Sequence, residues 1–136
     1  MKHYLLDTSA LLTLRDDEPG AARIASLLAE SATGKVQCLG CFMSLMEVFY
    51  RVWKDEGESE GRLAYRQCLA LPIQWVHESE ALLSKAAEIK ALHPLSVADA
   101  WIAASALNTN AILVHKDPEF KAVAVAQEVL ALKPRK

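Results

Sequence analysis

Long apolar runs are missing from the 136-residue sequence, and none approaches the roughly 20 residues that a membrane-spanning helix needs. The N-terminus reaches an aspartate, Asp7, too early for a secretory signal peptide. Internal repeats and Gly/Ser-rich linkers are missing as well. We therefore expect residues 1–136 to form a single domain that is cytoplasmic and has no membrane partner.

Cysteine is scarce and odd in number. Three cysteines cannot all pair with one another, which suits a reducing compartment. Cys38 and Cys41 have C-x-x-C spacing, but a closed zinc site wants four ligands and the sequence offers no second pair. We expect both to be small buried residues at a strand end. A redox role stays open, because the pair precedes a predicted helix.

An excess of positive charge is also missing, since 15 lysines and arginines face 17 acidic residues and the net charge is −2. This balance argues against a protein that coats nucleic acid through bulk electrostatics. It is compatible with a nuclease, because acids that hold metal lower the net charge while local cations still guide phosphates. The apolar fraction of 52% is typical of a globular protein that buries a core without disulfides.

Predicted strands and helices alternate along the chain. Apolar segments bounded by turn residues predict strands at 4–7, 36–39, 73–76 and 111–114, and a fifth at 129–132. Segments with helical spacing lie between them. The alternation predicts an α/β fold with helices on both faces of a mostly parallel sheet of four to five strands. In such folds ligands bind beyond the carboxyl ends of the strands.

Four acidic residues stand at the ends of these elements. Asp7 directly follows the first strand and Asp117 follows the fourth, so both are expected at the same edge of the sheet. Glu47 and Asp99 each come three residues after a serine, near the start of a predicted helix. Each acid also has a purely structural interpretation: Asp7 and Asp117 as caps or turn formers, Glu47 and Asp99 as members of capping boxes.

The surroundings of the acids favour a converging cluster over independent caps. Glu47 and Asp99 are flanked by apolar residues, and buried acids are costly unless they are paired or bind metal. Carboxylates brought together repel and raise one another's pKa values, and a divalent cation removes that conflict. Mg²⁺ and Mn²⁺ prefer oxygen ligands, can polarise a phosphodiester and lower the pKa of a bound water.

Four segments, in order, resemble the motifs of PIN-domain nucleases: residues 5–12, 44–48, 95–106 and 112–120. Their order and spacing and the chain length are similar to those of the VapC toxins of bacterial and archaeal toxin–antitoxin pairs. The resemblance covers essentially the whole chain. It implies a three-layer α/β/α PIN-like fold and Mg²⁺- or Mn²⁺-dependent cleavage of RNA.

The resemblance also implies roles for individual residues. The expected metal ligands are Asp7, Asp99, Asp117 and, directly or through water, Glu47. Thr8 and Ser9 are similar to polar residues of the family that hold the first carboxylate or a metal-bound water. His115 stands where many relatives have threonine or serine. We expect it to face solvent at the strand end, with phosphate contact or proton transfer as the alternative.

Basic and aromatic residues follow the second motif. The candidates for guiding RNA are Arg51, Lys54, Arg62 and Arg66, with a solvated helix face as the alternative. Three aromatic residues on the same stretch, Phe49, Tyr50 and Trp53, are expected to pack in the core; a homodimer or antitoxin surface is the alternative that the resemblance supports. The implied partners are RNA, a cognate VapB-type antitoxin that blocks the acidic site, and a second copy of the chain.

Other functions are open alternatives to a toxin. A PIN nuclease of RNA processing would have no antitoxin, and a catalytically idle PIN module would only bind. The intact acids speak against the idle module. A phosphotransferase of the haloacid dehalogenase type is set aside, because it needs a second aspartate where Ser9 stands.

Overall fold

The computed structural model describes residues 1–132, and its centre is a five-stranded, all-parallel sheet in the order β3-β2-β1-β4-β5. The strands are β1 (Lys2–Leu6), β2 (Val36–Cys41), β3 (Gln74–Val76), β4 (Ile112–His115) and β5 (Gln127–Val129). In the central strand, Leu5 lies opposite Leu39 on one side and Leu113 on the other. All five carboxyl ends therefore meet at one edge, as predicted.

Helices cover both faces of the sheet and form the outer layers. They are α1 (Thr8–Arg15), α2 (Ala21–Ala32), α3 (Phe42–Glu56), α4 (Glu58–Ala70), α5 (Glu80–Leu92) and α6 (Val97–Asn108), and a 3₁₀ turn spans Pro118–Ala122. Helices α1–α4 bury their apolar faces on one side, with Tyr4 and Leu6 of β1, while α5 and α6 pack on the other side with Leu5. This alternation along β1 follows from the pleat of a strand. Within residues 1–132, no helix combines the length and the apolarity needed to cross a membrane.

The fifth strand lies two residues earlier than predicted. It begins at Gln127 and ends at Val129, whereas the apolar run predicted a strand at 129–132. The register explains the difference, because Val129 pairs with His115, the last residue of β4. Beyond that point the N–H of Leu130 still donates to the backbone oxygen of His115, where β4 ends, and Leu132 is exposed. The apolar run is therefore not a reliable guide to this short edge strand.

The C-x-x-C pair is structural. Cys38 and Cys41 are both buried, but they belong to the two different cores on opposite faces of the sheet. Their sulfurs therefore neither form a disulfide nor share a metal ion. Burial raises the pKa of both thiols, which keeps them protonated and poorly reactive. The expectation of small buried residues is confirmed, and the redox alternative is wrong.

Candidate active site

Asp7 stands at the carboxyl end of the central strand and is 3% exposed. Its Oδ1 atom accepts a hydrogen bond from the backbone N–H of Ala10 at 2.8 Å, which caps α1, and another from the hydroxyl of Ser9 at 2.7 Å. Burial is the main reason that the pKa of Asp7 rises to about 7. The hydrogen bonds oppose this rise, and the negative charges of Asp117 and Glu47 add to it. Asp7 is therefore a cap and also a member of an acidic cluster.

Glu47 lies in the second turn of α3 and is buried. Because α3 begins at Phe42 directly after β2, Ser44 is inside the helix and is not its N-cap, so the capping-box interpretation of Glu47 is wrong. The Thr8 hydroxyl donates to Glu47 Oε1 at 2.7 Å, and Arg51 Nη2 lies 3.3 Å from Oε2. Both carboxylate oxygens of Glu47 therefore have a partner from the chain itself.

Asp99 lies in the first turn of α6, where the hydroxyl of the N-cap residue Ser96 accepts from its backbone N–H at 3.1 Å. The predicted serine cap of this helix is thus confirmed. The Asp99 carboxyl group faces Asp117. Its pKa rises to about 7, first through burial, then through a hydrogen bond shared with Asp117 and through the charges of Asp117, Glu47 and Asp7. All four predicted acids are therefore brought together at one edge of the sheet.

A fifth acid joins this cluster. Carboxylate oxygens of Asp99, Asp117 and Glu119 lie within 4.8 Å of one another. Asp117 caps the 3₁₀ turn by accepting from the backbone N–H of Glu119 at 2.9 Å, and this turn brings the exposed Glu119 back toward Asp99. Sequence reasoning missed Glu119. The signal was the Asp117-Pro118-Glu119 segment, in which the proline favours a tight turn.

Ser9 links the ends of the two central strands. Its hydroxyl donates to Asp7 Oδ1 and accepts from the backbone N–H of Lys116 at 3.0 Å. Since Asp7 follows β1 and Lys116 follows β4, a single hydroxyl ties two sides of the acidic cluster together. The structure places both predicted polar residues, Thr8 and Ser9, on carboxylates of the cluster.

His115 is buried, with 1% of its surface exposed, so the expectation that it faces solvent is wrong. Its Nε2 atom lies 2.8 Å from Gln127 Oε1, and its Nδ1 atom lies 2.9 Å from the backbone nitrogen of Asp117. The ring also contacts Phe120 edge-on, with 4.9 Å between the ring centroids. Both ring nitrogens are engaged inside the protein, so neither is exposed for contact with a phosphate.

The four predicted RNA-guiding cations lie in different surroundings. Arg51 contacts the acidic cluster through Glu47. Arg62 pairs with Glu58 at 2.7 Å, and its guanidinium also lies over the rings of Phe49 and Trp53. The remaining two are exposed on α3 and α4: Lys54 and Arg66.

The aromatic residues of α3 are less buried than expected. Phe49 is half-buried and stacks on Tyr65 of α4, with 5.0 Å between the ring centroids. Tyr50 and Trp53 are 44% and 43% exposed, so the expectation of core packing is wrong for these two. Their exposure leaves an aromatic surface beside Arg51.

The donor set fits a hard divalent cation. Several carboxylate oxygens converge from four segments of the chain, and burial, together with the charges of the neighbouring acids, raises the pKa values of Asp7 and Asp99 and so disfavours their ionised forms. Mg²⁺ and Mn²⁺ prefer such oxygen ligands. Their presence would keep the acids ionised at neutral pH.

Comparison with known proteins adds a family and a set of similar folds. The family model of the PIN domain matches residues 4–126. No curated protein sequence matches the chain. A chain in the structure of VapBC2 from Rickettsia felis, bound to a DNA fragment from its promoter, has a TM-score of 0.77 and 18% identity, with 95% of this chain and 99% of that chain covered.

Two further solved structures are similar. A chain of DNA-bound VapBC from Salmonella typhimurium has a TM-score of 0.76 and 16% identity, with 95% of this chain and 98% of that chain covered. VapC20 from Mycobacterium tuberculosis, described as a sarcin–ricin loop cleaving toxin, has a TM-score of 0.69 and 16% identity, with 94% and 99% covered. At these identities the likeness is one of fold.

Proposed function

The chain belongs to the PIN domain family, and we propose that it is a metal-dependent endoribonuclease that hydrolyses phosphodiester bonds in RNA. The observation that carries the proposal is the convergence of Asp7, Glu47, Asp99 and Asp117 at the carboxyl edge of the sheet, where Asp7 and Asp99 have strongly raised pKa values. A cluster of this kind is costly to maintain without a cation. This cost supports a bound cation as part of the function.

The residues that would hold Mg²⁺ or Mn²⁺ directly are Asp7, Asp99 and Asp117. Both oxygens of Glu47 are already engaged by Thr8 and Arg51, which favours a contact through water for this residue. A bound ion would supply a Lewis acid and a water of lowered pKa for attack on phosphorus. The chain itself orients the carboxylates, since Ser9 fixes Asp7 and Thr8 fixes Glu47.

Arg51 is the best placed of the four cations to guide RNA. Its guanidinium reaches Glu47 at the cluster while its side chain is 45% exposed. A phosphate group approaching the acids would therefore meet a positive charge beside them, and arginine matches phosphate through paired N–H donors. Lys54, Arg62 and Arg66 would contribute only along a longer RNA path over α3 and α4.

We further propose that the chain is the toxin of a toxin–antitoxin pair, with a VapB-type antitoxin as partner. The proposal is supported by the similar fold of chains in VapBC complexes. A cavity of about 300 Å³ between α1, α3 and α4 would take apolar side chains of such a partner. It is lined by Leu11, Leu14, Val48 and Cys68 among others, and Leu11 lies on α1, the helix that Asp7 caps. An antitoxin segment in this cavity would thus contact Leu11, one helical turn from Asp7, and Val48, next to Glu47.

A homodimer and a cytoplasmic location complete the proposal. The exposed Tyr50 and Trp53 on α3 offer aromatic surface for a second copy or for the antitoxin. RNA as the substrate favours the cytoplasm. Size-exclusion chromatography with light scattering, on the native chain and on a Trp53→Arg variant, would show whether this surface forms the dimer.

The test of the enzymatic proposal is RNA cleavage with Mg²⁺ or Mn²⁺ by the native chain and by Asp7→Asn and Asp99→Asn. We expect both variants to lose cleavage by several orders of magnitude, and EDTA to abolish it in the native chain. Asp55→Asn, an exposed acid of α3, is the matched control and should cleave normally. Unchanged cleavage by both site variants would refute the mechanism, and cleavage after thorough chelation would indicate a metal-free ribonuclease.

Two alternatives are distinguished by simple observations. A PIN nuclease of RNA processing would have no small DNA-binding protein encoded next to it, and it would not copurify with a neighbouring gene product. An idle binding module would retain RNA without cutting it in either metal. The cluster of acids favours the nuclease over the idle module.

A further inference from the structure

We infer that His115 is a positioning residue. It orients the carboxylate of Asp117 by accepting a hydrogen bond from the backbone N–H of that residue. This inference rests on the proposed metal site. In this hydrogen bond, 2.9 Å separate His115 Nδ1 from the backbone nitrogen of Asp117. His115 ends β4, and Asp117 begins the turn that carries its carboxylate to Asp99.

Gln127 determines which ring nitrogen of His115 carries the proton. The side-chain Nε2 of Gln127 donates to two backbone oxygens, those of Phe120 at 2.7 Å and Val123 at 3.3 Å. A reversed amide would place its oxygen against these two carbonyl oxygens, so the oxygen must face His115. It lies 2.8 Å from His115 Nε2, which must therefore be the donor. In the neutral ring the Nδ1 atom is then a bare acceptor for the N–H of Asp117.

The surroundings hold this arrangement rigidly. Phe120, which is fully buried, packs edge-on against the ring, and the backbone oxygen of His115 accepts from the N–H of Leu130 at 2.8 Å. Ring and backbone of His115 are thus fixed independently. With its N–H held by His115, Asp117 has one carboxylate oxygen, Oδ1, committed to the N–H of Glu119. The second oxygen remains for the cluster.

The hydrogen bonds of His115 connect Gln127, on the edge strand, to Asp117 in the acidic cluster. Gln127 is the first residue of β5, and it acts on Asp117 through a buried imidazole and not through a side chain exposed at the site. Groups that orient metal ligands in this way alter metal affinity by about 10- to 100-fold when they are removed. A residue that only filled space would alter the stability of the fold and leave the metal affinity of the folded protein unchanged.

Two substitutions test the roles of the two ring nitrogens separately. In His115→Asn the amide oxygen takes the place of Nδ1 and keeps the acceptor for Asp117. In His115→Gln the amide nitrogen takes the place of Nε2 and keeps the donor to Gln127, but it removes that acceptor. The measurement is the Mn²⁺ dissociation constant by titration calorimetry, with folding of each variant checked by circular dichroism.

We expect His115→Gln to bind Mn²⁺ about 10- to 100-fold more weakly than the native chain. His115→Asn keeps the acceptor for Asp117, so its Mn²⁺ affinity should lie much closer to that of the native chain. His77→Gln, at an exposed histidine, is the matched control and should bind normally. Native affinity in folded His115→Gln, or an equal loss in both variants, would overturn the inference. If the native chain binds no Mn²⁺, or if Asp117→Asn binds it equally well, the proposed metal site fails and the inference fails with it.

A measurement on the native chain covers the case in which the variants do not fold. Long-range ¹H–¹⁵N correlation spectra report which nitrogen of a histidine ring is protonated. We expect the Nε2–H form for His115 in the metal-free protein and in the Mg²⁺-loaded protein. A proton on Nδ1 in either sample would overturn the inference, since Nδ1 could not then accept from Asp117.

Discussion

The charge of Asp7 should destabilise the metal-free protein, and removing it should stabilise the fold while it abolishes the proposed activity. Burial raises the pKa of this carboxyl group from 3.8 to about 7. The folded state therefore binds the proton more tightly than the unfolded chain does. Between these two values the contribution of Asp7 to the free energy of unfolding falls as the pH rises, and above pH 7 its loss is complete.

The size of the effect follows from the same two values. Each pKa unit corresponds to about 1.4 kcal/mol, so the ionised Asp7 costs up to about 4 kcal/mol at pH 8. Asp7→Asn removes the charge and retains an Oδ1 atom to accept from Ala10 and Ser9, so the cap of α1 survives. We expect this variant to be about 1–4 kcal/mol more stable than the native chain at pH 8 in EDTA.

The assay is urea unfolding in EDTA, followed by tryptophan fluorescence, at pH 5 and pH 8. The advantage of Asp7→Asn should be smaller at pH 5, where the folded native chain is protonated at this site. Asp55→Asn, at an exposed position, should show no pH-dependent difference from the native chain. Mg²⁺ should stabilise the native chain more than the variant, because only the native site offers the full ligand set. An Asp7→Asn protein that is less stable than the native chain at pH 8, or an advantage independent of pH, would refute the reasoning.

Three further substitutions test the site and its support. Thr8→Val removes the hydroxyl that donates to Glu47 and should lower kcat for RNA cleavage by roughly 10-fold or more. Thr8→Ser keeps the hydroxyl and should retain most activity, so equal kcat values in the two variants would contradict the role of this hydrogen bond. Arg51→Gln should raise KM for RNA several-fold with a smaller effect on kcat, and Lys54→Gln is the matched control; an unchanged KM for Arg51→Gln would count against phosphate guidance. Gly61→Ala should destabilise the fold by about 1–3 kcal/mol in urea unfolding, because the added Cβ would lie 2.9 Å from a backbone oxygen of α3. A stability equal to that of the native chain would show that α3 and α4 separate easily.

The parts of the site that follow strand ends could be predicted from the sequence. A polar residue after a short apolar run marks the end of a buried strand. The sequence was therefore sufficient to place Asp7 and Asp117 at one edge of a parallel sheet. Asp99 was also accessible, because Ser96 caps its helix as the spacing indicated. The sheet and its three layers followed from the alternation of strands and helices.

The rest depends on contacts between distant residues, which local patterns do not encode. The burial of His115 requires Gln127, twelve positions away, on a strand that the apolar pattern placed too late. Glu119 joins the acids only because a 3₁₀ turn folds it back. The serine near Glu47 has the spacing of a capping box, but the strand before it runs straight into α3, and the helix begins earlier than the pattern suggests.

That junction has a consequence for how the chain can vary in length. β2 ends at Cys41 and α3 begins at Phe42, with no loop residue between them. Each residue turns an α-helix by about 100°, so a one-residue insertion or deletion here would rotate Glu47 away from Thr8. At the turn around Gly34 the neighbouring space is open, and a change of length there would not move Glu47 relative to β2. Among homologous sequences, insertions and deletions should therefore accumulate before β2 and be absent between β2 and Glu47.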